Sequence, residues 1–263
     1  MPAYGFKFPD LDFLNAMKAV NVDDWPSVNI EFVDKKFLNH SNLINLEVGL
    51  LNIEDINQLK LKIYLEKQIS IKEFIHPHIQ FALPSLAQIN QDFLFHSGAV
   101  IINGKLFGIL GDRGAGKSSL LFEMFKNFNL EIFTDDVMLI RKNMVCIGPR
   151  LIGLRQSASE KFLKKQISLI EIPPMLYSEI PIAGWFIIGW SDNLFLKSLS
   201  VKELSYELQR YDLLKKQRFV QINFEYYKYL SLFPAWKIFR PKKWAYNTDI
   251  INCMLKIVNK DFN

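Results

Sequence analysis

"GILGDRGAGKSSLL", residues 108–121, is the stretch from which the rest of the chain is read. Within it, Gly111-x-x-x-x-Gly116-Lys117-Ser118 has the spacing of a phosphate-cradling loop. Such a loop needs glycines because its backbone turns tightly and presents N–H groups inward, where side chains would block the phosphate oxygens. Lys117 brings a point charge to the β- and γ-phosphates, and Ser118 brings a hydroxyl to Mg²⁺. The helix that follows turns its N-terminus to the anion. Gly111, Asp112, Arg113, Gly114, Ala115, Gly116, Lys117, Ser118 and Ser119 are accordingly the expected nucleotide-binding set. Arg113 reads first as a solvent-facing side chain and second as a phosphate ligand.

The flanks support the loop. Before it, "FLFHSGAVIINGKLFGILG" (93–111) reads as strand, Asn103-Gly104 turn, strand; Asn-Gly between two apolar runs is a strong hairpin signal. After it, "KSSLLFEMFKNF" (117–128) has helical spacing. "LEIFTDDVMLIRK" (130–142) then reads as strand on either side of Asp135-Asp136. A surface Asp-Asp turn is one reading of that pair. Its apolar flanks favour the other, a functional carboxylate pair one helix away from the loop serine. Adjacent strand residues point to opposite faces, so both carboxylates reach one site only if the strand kinks. Asp135 is assigned as the base toward an attacking hydroxyl and Asp136 as the Mg²⁺ ligand beside Ser118, with the reverse assignment open.

Further out, "VNIEFV" (28–33), "INLEVGLLNI" (44–53) and "LKIYL" (61–65) alternate as half-buried strands do, so residues 1–83 form a β-rich N-terminal part. Residues 84–263 are expected to form the second part, which holds the loop and opens with a short helix at "PSLAQINQDF" (84–93). "IPIAGWFIIGW" (180–190) is too short to span a bilayer and reads as a buried strand. Residues 200–232 look largely helical, "AWKIFRP" (235–241) reads as a late strand, and "NTDIINCMLKIV" (247–258) as a closing helix. The expected class is α/β, a mixed-sheet core with C-terminal helices.

Composition bounds the function. Of the 263 residues 49% are hydrophobic and 22% charged, which suits a folded globular chain. The net charge of +5 is a small excess. It gathers in "EKFLKKQ" (160–166), "LLKKQR" (213–218) and "RPKKW" (240–244), read as solvated helix faces, with a docking surface for an acidic partner as the alternative. No basic stripe interleaves with stacking aromatics, so no nucleic-acid role is expected. Cys146 and Cys253 have neither disulfide nor zinc spacing, and "MPAYGFKFPD" lacks a signal-peptide pattern; a reducing cytoplasm is expected.

Together, "FHSGAVIINGKLFGILGDRGAGKSSLLFEMF…EIFTDDVMLI" resembles the catalytic domain of bacterial HPr kinase/phosphorylase and its shorter HPr-kinase-like relatives. A His just before the hairpin turn, a hairpin running into the loop, and an Asp-Asp pair one helix later carry the resemblance. It covers residues 94–155 and, more weakly, "AWKIFRPKKWAYNTDIINCML" (235–255). It implies the fold shared with phosphoenolpyruvate carboxykinase, ATP and Mg²⁺ as cofactors, and a catalytic role for Lys117, Asp135 and His96. A lone His in a strand is otherwise more often structural. HPr kinases proper carry a Glu-Ile-Arg-Gly-type signature after the Asp-Asp strand. Here "GPRLIGLRQSASEKF" (148–162) stands instead, which points to the shorter relatives and away from HPr and the reverse phosphorylase reaction. Arg150 and Arg155 are candidates to clamp the transferring phosphate, or else structural arginines held in salt bridges.

The resemblance implies an ATP-dependent kinase acting on a hydroxyl, foremost a serine of a peptide or small protein, including a ribosomally made peptide. Free serine or another small hydroxyl compound is the variant, and a non-catalytic nucleotide-sensing module the alternative. A homo-oligomer is compatible with the family but is not read from the residues.

Overall fold

The computed structural model describes residues 2–9, 24–38, 43–46, 49–55, 59–66, 74, 78–163, 169–216 and 224–261. Its first strands, β1 (Pro2–Ala3) and β2 (Phe6–Lys7), pair around Tyr4 and Gly5, which both take positive φ, 53° and 75°. β3 (Asn29–Phe32), β4 (Leu43–Leu46), β5 (Gly49–Asp55) and β6 (Lys60–Leu65) make a four-stranded sheet in the order β3-β6-β5-β4. Only its β3–β6 pair is parallel. The three alternating windows of the sequence thus join in one sheet. α1 (Leu83–Ile89) follows, with Pro84 in its first turn.

The second and larger sheet is mixed. β7 (Phe93–Phe95), β8 (Ser97–Ile102) and β9 (Lys105–Leu110) precede the loop. The β8–β9 hairpin turns on Asn103 and Gly104, whose φ values of 52° and 72° are those the Asn-Gly pair predicts. After the loop come α2 (Lys117–Phe128), β10 (Glu131–Thr134), β11 (Met138–Arg141) and β12 (Met144–Cys146). Asn129 ends α2 with φ 53°, its N–H on the Met124 carbonyl, a left-handed cap. A small hairpin sheet, β13 (Leu151–Gly153) with β14 (Leu169–Glu171), flanks α3 (Gln156–Leu163).

The long β15 (Glu179–Trp190) organises the large sheet. Its first residues pair antiparallel with β12, while the remainder lies parallel to β9 on one side. Beyond β16 (Phe195–Ser198), α4 (Val201–Tyr211) and α5 (Phe224–Leu230), the chain returns as β17 (Ala235–Arg240), parallel to β15 on its other side. α6 (Tyr246–Asp261) closes the described chain. Of the basic runs, residues 164–166 and 217–218 lie outside the described residues, as do residues 217–223 of the helical stretch; Lys242 and Lys243 are exposed.

Successive strand residues face opposite sides, and the two sides have separate cores. Phe107, Ile109, Phe186, Ile188 and Ile238 pack with Leu120, Leu121 and Met124 of α2 and Ile250 and Met254 of α6. Leu106, Leu110, Trp185 and Ile187 face the other way, onto Leu204 and Leu208 of α4 and Leu230 of α5. That second core also takes in Phe6, Trp25, Ile53 and Ile63, so the β-rich part shares it. β9, β15 and β17 run parallel, and their carboxyl ends lie side by side, the place where open α/β sheets hold ligands. The chain is thus a mixed α/β protein with multi-strand mixed sheets and C-terminal helices. Among the described residues, no helix is long and apolar enough to cross a membrane.

Candidate active site

The loop leaves β9 at its carboxyl end and feeds α2, whose first residue is Lys117. Gly114 and Gly116 take φ of 89° and 87°, which side chains disfavour. A Cβ on Gly116 would also stand 2.9 Å from Arg240 Nη2. Lys117 is 6% exposed and donates to the Gly111 carbonyl at 2.7 Å and, more loosely, to that of Asp112 at 3.4 Å. Burial lowers its pKa to about 8, against the carboxylates of Asp136, Asp135 and Asp112 that hold the proton on.

The strand kink that the Asp-Asp pair needs is present. β10 stops at Thr134, Asp136 turns left-handed with φ 68°, and the Val137 N–H closes back on the Asp135 carbonyl at 2.8 Å. β10 pairs with β8, whereas β11 pairs with β7 and β12, so the chain changes neighbours across this bend. Asp135 is left at the floor, 2% exposed. Its Oδ1 accepts from the Ser118 hydroxyl and its Oδ2 from the Gly153 N–H, both at 3.0 Å. Burial, then the Asp136 charge, pushes its pKa up to about 7, while Gly153, Ser118 and Lys117 pull it down.

Asp136 stands at the mouth with a third of its side chain exposed, Oδ1 lying 3.3 Å from His96 Nδ1. His96 joins the two halves. Nε2 meets Lys117 Nζ at 2.9 Å, and Nδ1 meets the Asp136 carbonyl at 3.0 Å. Burial and the Lys117 charge lower its pKa, which favours a neutral ring. A protonated Lys117 donates to Nε2, so Nδ1 carries the ring hydrogen and donates to the Asp136 carbonyl.

The other expected residues divide. Arg155 reaches the loop: its Nη1 would be 3.4 Å from a Cβ on Gly114, and its charge bears on Lys117. Arg113 is exposed, near enough to His96 to lower its pKa. Arg150 is a correction. It is 3% exposed, with Nη1 donating to the Ile132 carbonyl at 2.7 Å and Nε to the Pro173 carbonyl at 2.9 Å. A guanidinium committed to backbone beneath β10 has no fork left to offer a phosphate. Among the described residues it has no salt bridge; it braces β10, the strand that leads into the carboxylates.

Sequence reading missed four groups. The Gly153 N–H holds Asp135. Arg210 of α4 grips both Asp112 oxygens, at 2.7 and 2.6 Å, which ties the loop to that helix. Trp190 and Arg240, at the ends of β15 and β17, close on the loop from behind. Arg240 had a signal: in "AWKIFR" it shares the buried phase of Trp236 and Ile238, where an arginine is out of place.

Ser118 Oγ and Asp135 Oδ1 are hard oxygen donors on one spot. That set fits Mg²⁺, which takes one or two carboxylates and completes its shell with phosphate oxygens and water. Among the described residues no group of three or more His, Cys, Asp and Glu gathers as a metal cluster, as Mg²⁺ does not require one.

No protein-family model and no curated protein matches the chain. Among solved structures, it is similar to the Hpr(Ser) kinase/phosphatase from Coxiella burnetii, at 13% identity and a TM-score of 0.35, over 62% of this chain and 97% of that one.

Proposed function

We propose that the chain is an ATP- and Mg²⁺-dependent kinase of the HPr-kinase-like kind. In this reading it has a P-loop core of the HPr kinase and phosphoenolpyruvate carboxykinase type, and it phosphorylates a serine hydroxyl of a peptide or small protein. One observation carries the reading: the left-handed turn at Asp136 delivers two adjacent carboxylates to two different places around one phosphate loop. Binding a nucleotide needs a single carboxylate near the loop serine; transfer needs a second one open to the acceptor.

The geometry favours the reverse of the assignment made from sequence. Ser118 and Asp135 hold Mg²⁺, which when bound neutralises charge on the β- and γ-phosphates. Lys117 moves from the Gly111 carbonyl to the phosphates, steadied by His96. Asp136, at the mouth, accepts the proton of the acceptor hydroxyl as its oxygen bonds to the γ-phosphorus and the bond to the bridging oxygen breaks, releasing ADP. Arg155, beside Gly114, complements the charge spread over the transferring group. Residues 1–83 and the stretch 156–235 shape the acceptor side. Tyr4, fully buried, lies close enough to Asp135 and Asp136 to feel their charge, so the N-terminal strands reach the floor of the site. The two free cysteines accord with a cytoplasmic setting.

The test is incubation with ATP labelled in its γ-phosphate, with Mg²⁺, against serine-containing peptides, small proteins and free serine. Label on a hydroxyl, lost in Lys117→Ala, is the expected result. Tight ATP binding without any labelled product turns the reading into a nucleotide-sensing module. A chain that binds no ATP overturns it.

A further inference from the structure

Behind the loop, Trp190 and Arg240 stand opposite each other in register at the ends of β15 and β17. Trp190 Nε1–H donates to the Gly114 carbonyl at 3.1 Å, and its ring lies 4.2 Å from the Arg240 guanidinium carbon. Arg240 is 1% exposed. Its Nη2 donates to Asn247 Oδ1 at 3.0 Å, and Asn247 Nδ2 donates in turn to Glu123 Oε2 at 3.0 Å. Nε and Nη1 are buried and have no acceptor among the described residues.

A buried donor without a partner is costly, more so when charged, and strong selection pairs such groups. Arg150 shows how this fold treats a purely structural arginine, by placing carbonyls around it. Arg240 is buried to the same degree, and its guanidinium reaches Gly116, the last loop glycine, through Nη2, yet among the described residues Nε and Nη1 have no acceptor. Burial lowers its pKa to about 10, against the Glu123 charge that pulls it up, so it keeps its charge at neutral pH. Its cover is light: Trp190 is 36% exposed, and a hydrogen bond to Gly114 holds it to the loop.

We propose that Arg240 is a phosphate-binding residue of the donor site and that Trp190 is its cover. When a nucleoside triphosphate settles in the loop, Trp190 leaves the guanidinium, and one of its two unpartnered donors, Nε–H or Nη1–H, turns to a phosphate oxygen. The proposal rests on the donor-site reading above. It adds to the site a cation held by a strand far from the loop in sequence, and an aromatic ring whose position reports occupancy.

The experiment is calorimetric titration of the full chain with Mg·ATP and with pyrophosphate, alongside tryptophan fluorescence, for the native protein, Arg240→Met, Arg240→Lys, Trp190→Phe and Lys117→Ala. Arg240→Met is expected to weaken both ligands about tenfold or more, the size of a charged hydrogen-bond pair, and Arg240→Lys to recover part of the loss. ATP should change the native fluorescence, and that change should vanish in Trp190→Phe. Native affinity in a folded Arg240→Met overturns the proposal while the donor site stands. Should Arg240→Met not fold, fluorescence decides: an equal ATP response in native and Trp190→Phe proteins overturns it. No ATP binding by the native chain, with Lys117→Ala indistinguishable from it, removes the donor site itself.

Discussion

At the floor of the site Asp135 has both oxygens taken, by Ser118 and Gly153, and 2% of its surface in solvent. One residue later, at the mouth, Asp136 has a third of its side chain exposed and touches a histidine that also holds the loop lysine. Beneath the floor Arg150 and the Thr134 hydroxyl are bonded to backbone carbonyls, so this region is rigid and closed. Around the mouth, Arg113 and Arg155 are exposed. In the proposed reading, the difference separates a carboxylate that stays in place from one that exchanges a proton. Such pairs, chemically identical but held in unlike surroundings, are how one site divides two roles.

The largest effect expected from breaking this comparison is at the mouth. Asp136→Asn should lower the transfer rate about a thousandfold, within the range for loss of a general base, and leave ATP affinity nearly unchanged. Single-turnover transfer and equilibrium binding measure the two separately. A rate loss confined to Asp135→Asn at saturating Mg²⁺ would restore the assignment made from sequence.

At the floor the expected effect is on the metal. Asp135→Asn should raise the Mg²⁺ concentration needed for half-maximal ATP binding by about a hundredfold, since Ser118 alone is a weak ligand. Titrating Mg²⁺ at fixed ATP checks this, and an unchanged midpoint places the ion elsewhere.

The smallest effect sharpens the electrostatics. The folded pKa of Asp135, about 7, lies above its ordinary value of 3.8, so the native chain holds a proton that the unfolded chain has released. Stability contributed by this group is therefore present at low pH and lost as pH rises from about 4 to about 7. Without Mg²⁺, Asp135→Asn should be more stable than the native chain by on the order of 2–4 kcal/mol at pH 8, with the gap closing toward pH 4. Thermal melts across that range test it; equal melting temperatures at pH 8 would show that Asp135 is not desolvated.

Much of the floor and the loop was legible beforehand because their signals are local. Gly111, Gly116, Lys117 and Ser118 act through backbone turns and helix start within eight residues, and Asn103-Gly104 acts through two positive φ angles. The Asp-Asp stretch announced a kink by its own contradiction, two inward carboxylates on a period-two strand. Arg150 and Arg155 were not separable on the same grounds. They lie on either side of β13, and which of them faces the loop depends on where that strand is laid against β10 and α2.

The sequence by itself determined a glycine-rich loop between hairpin and helix, a pair of carboxylates one helix later, and the strands and helices around them, since each follows from spacing within a short window. Tertiary structure alone decided which carboxylate meets Ser118, what Arg150 braces, and that Trp190 and Arg240 close the loop from behind. The last of these joins residues 76 and more positions apart through the parallel pairing of β9, β15 and β17, while the first two span 17 and 18 positions around β10. The register of strands brought together across a sheet is set by packing on both faces at once, and no short window of the chain contains it.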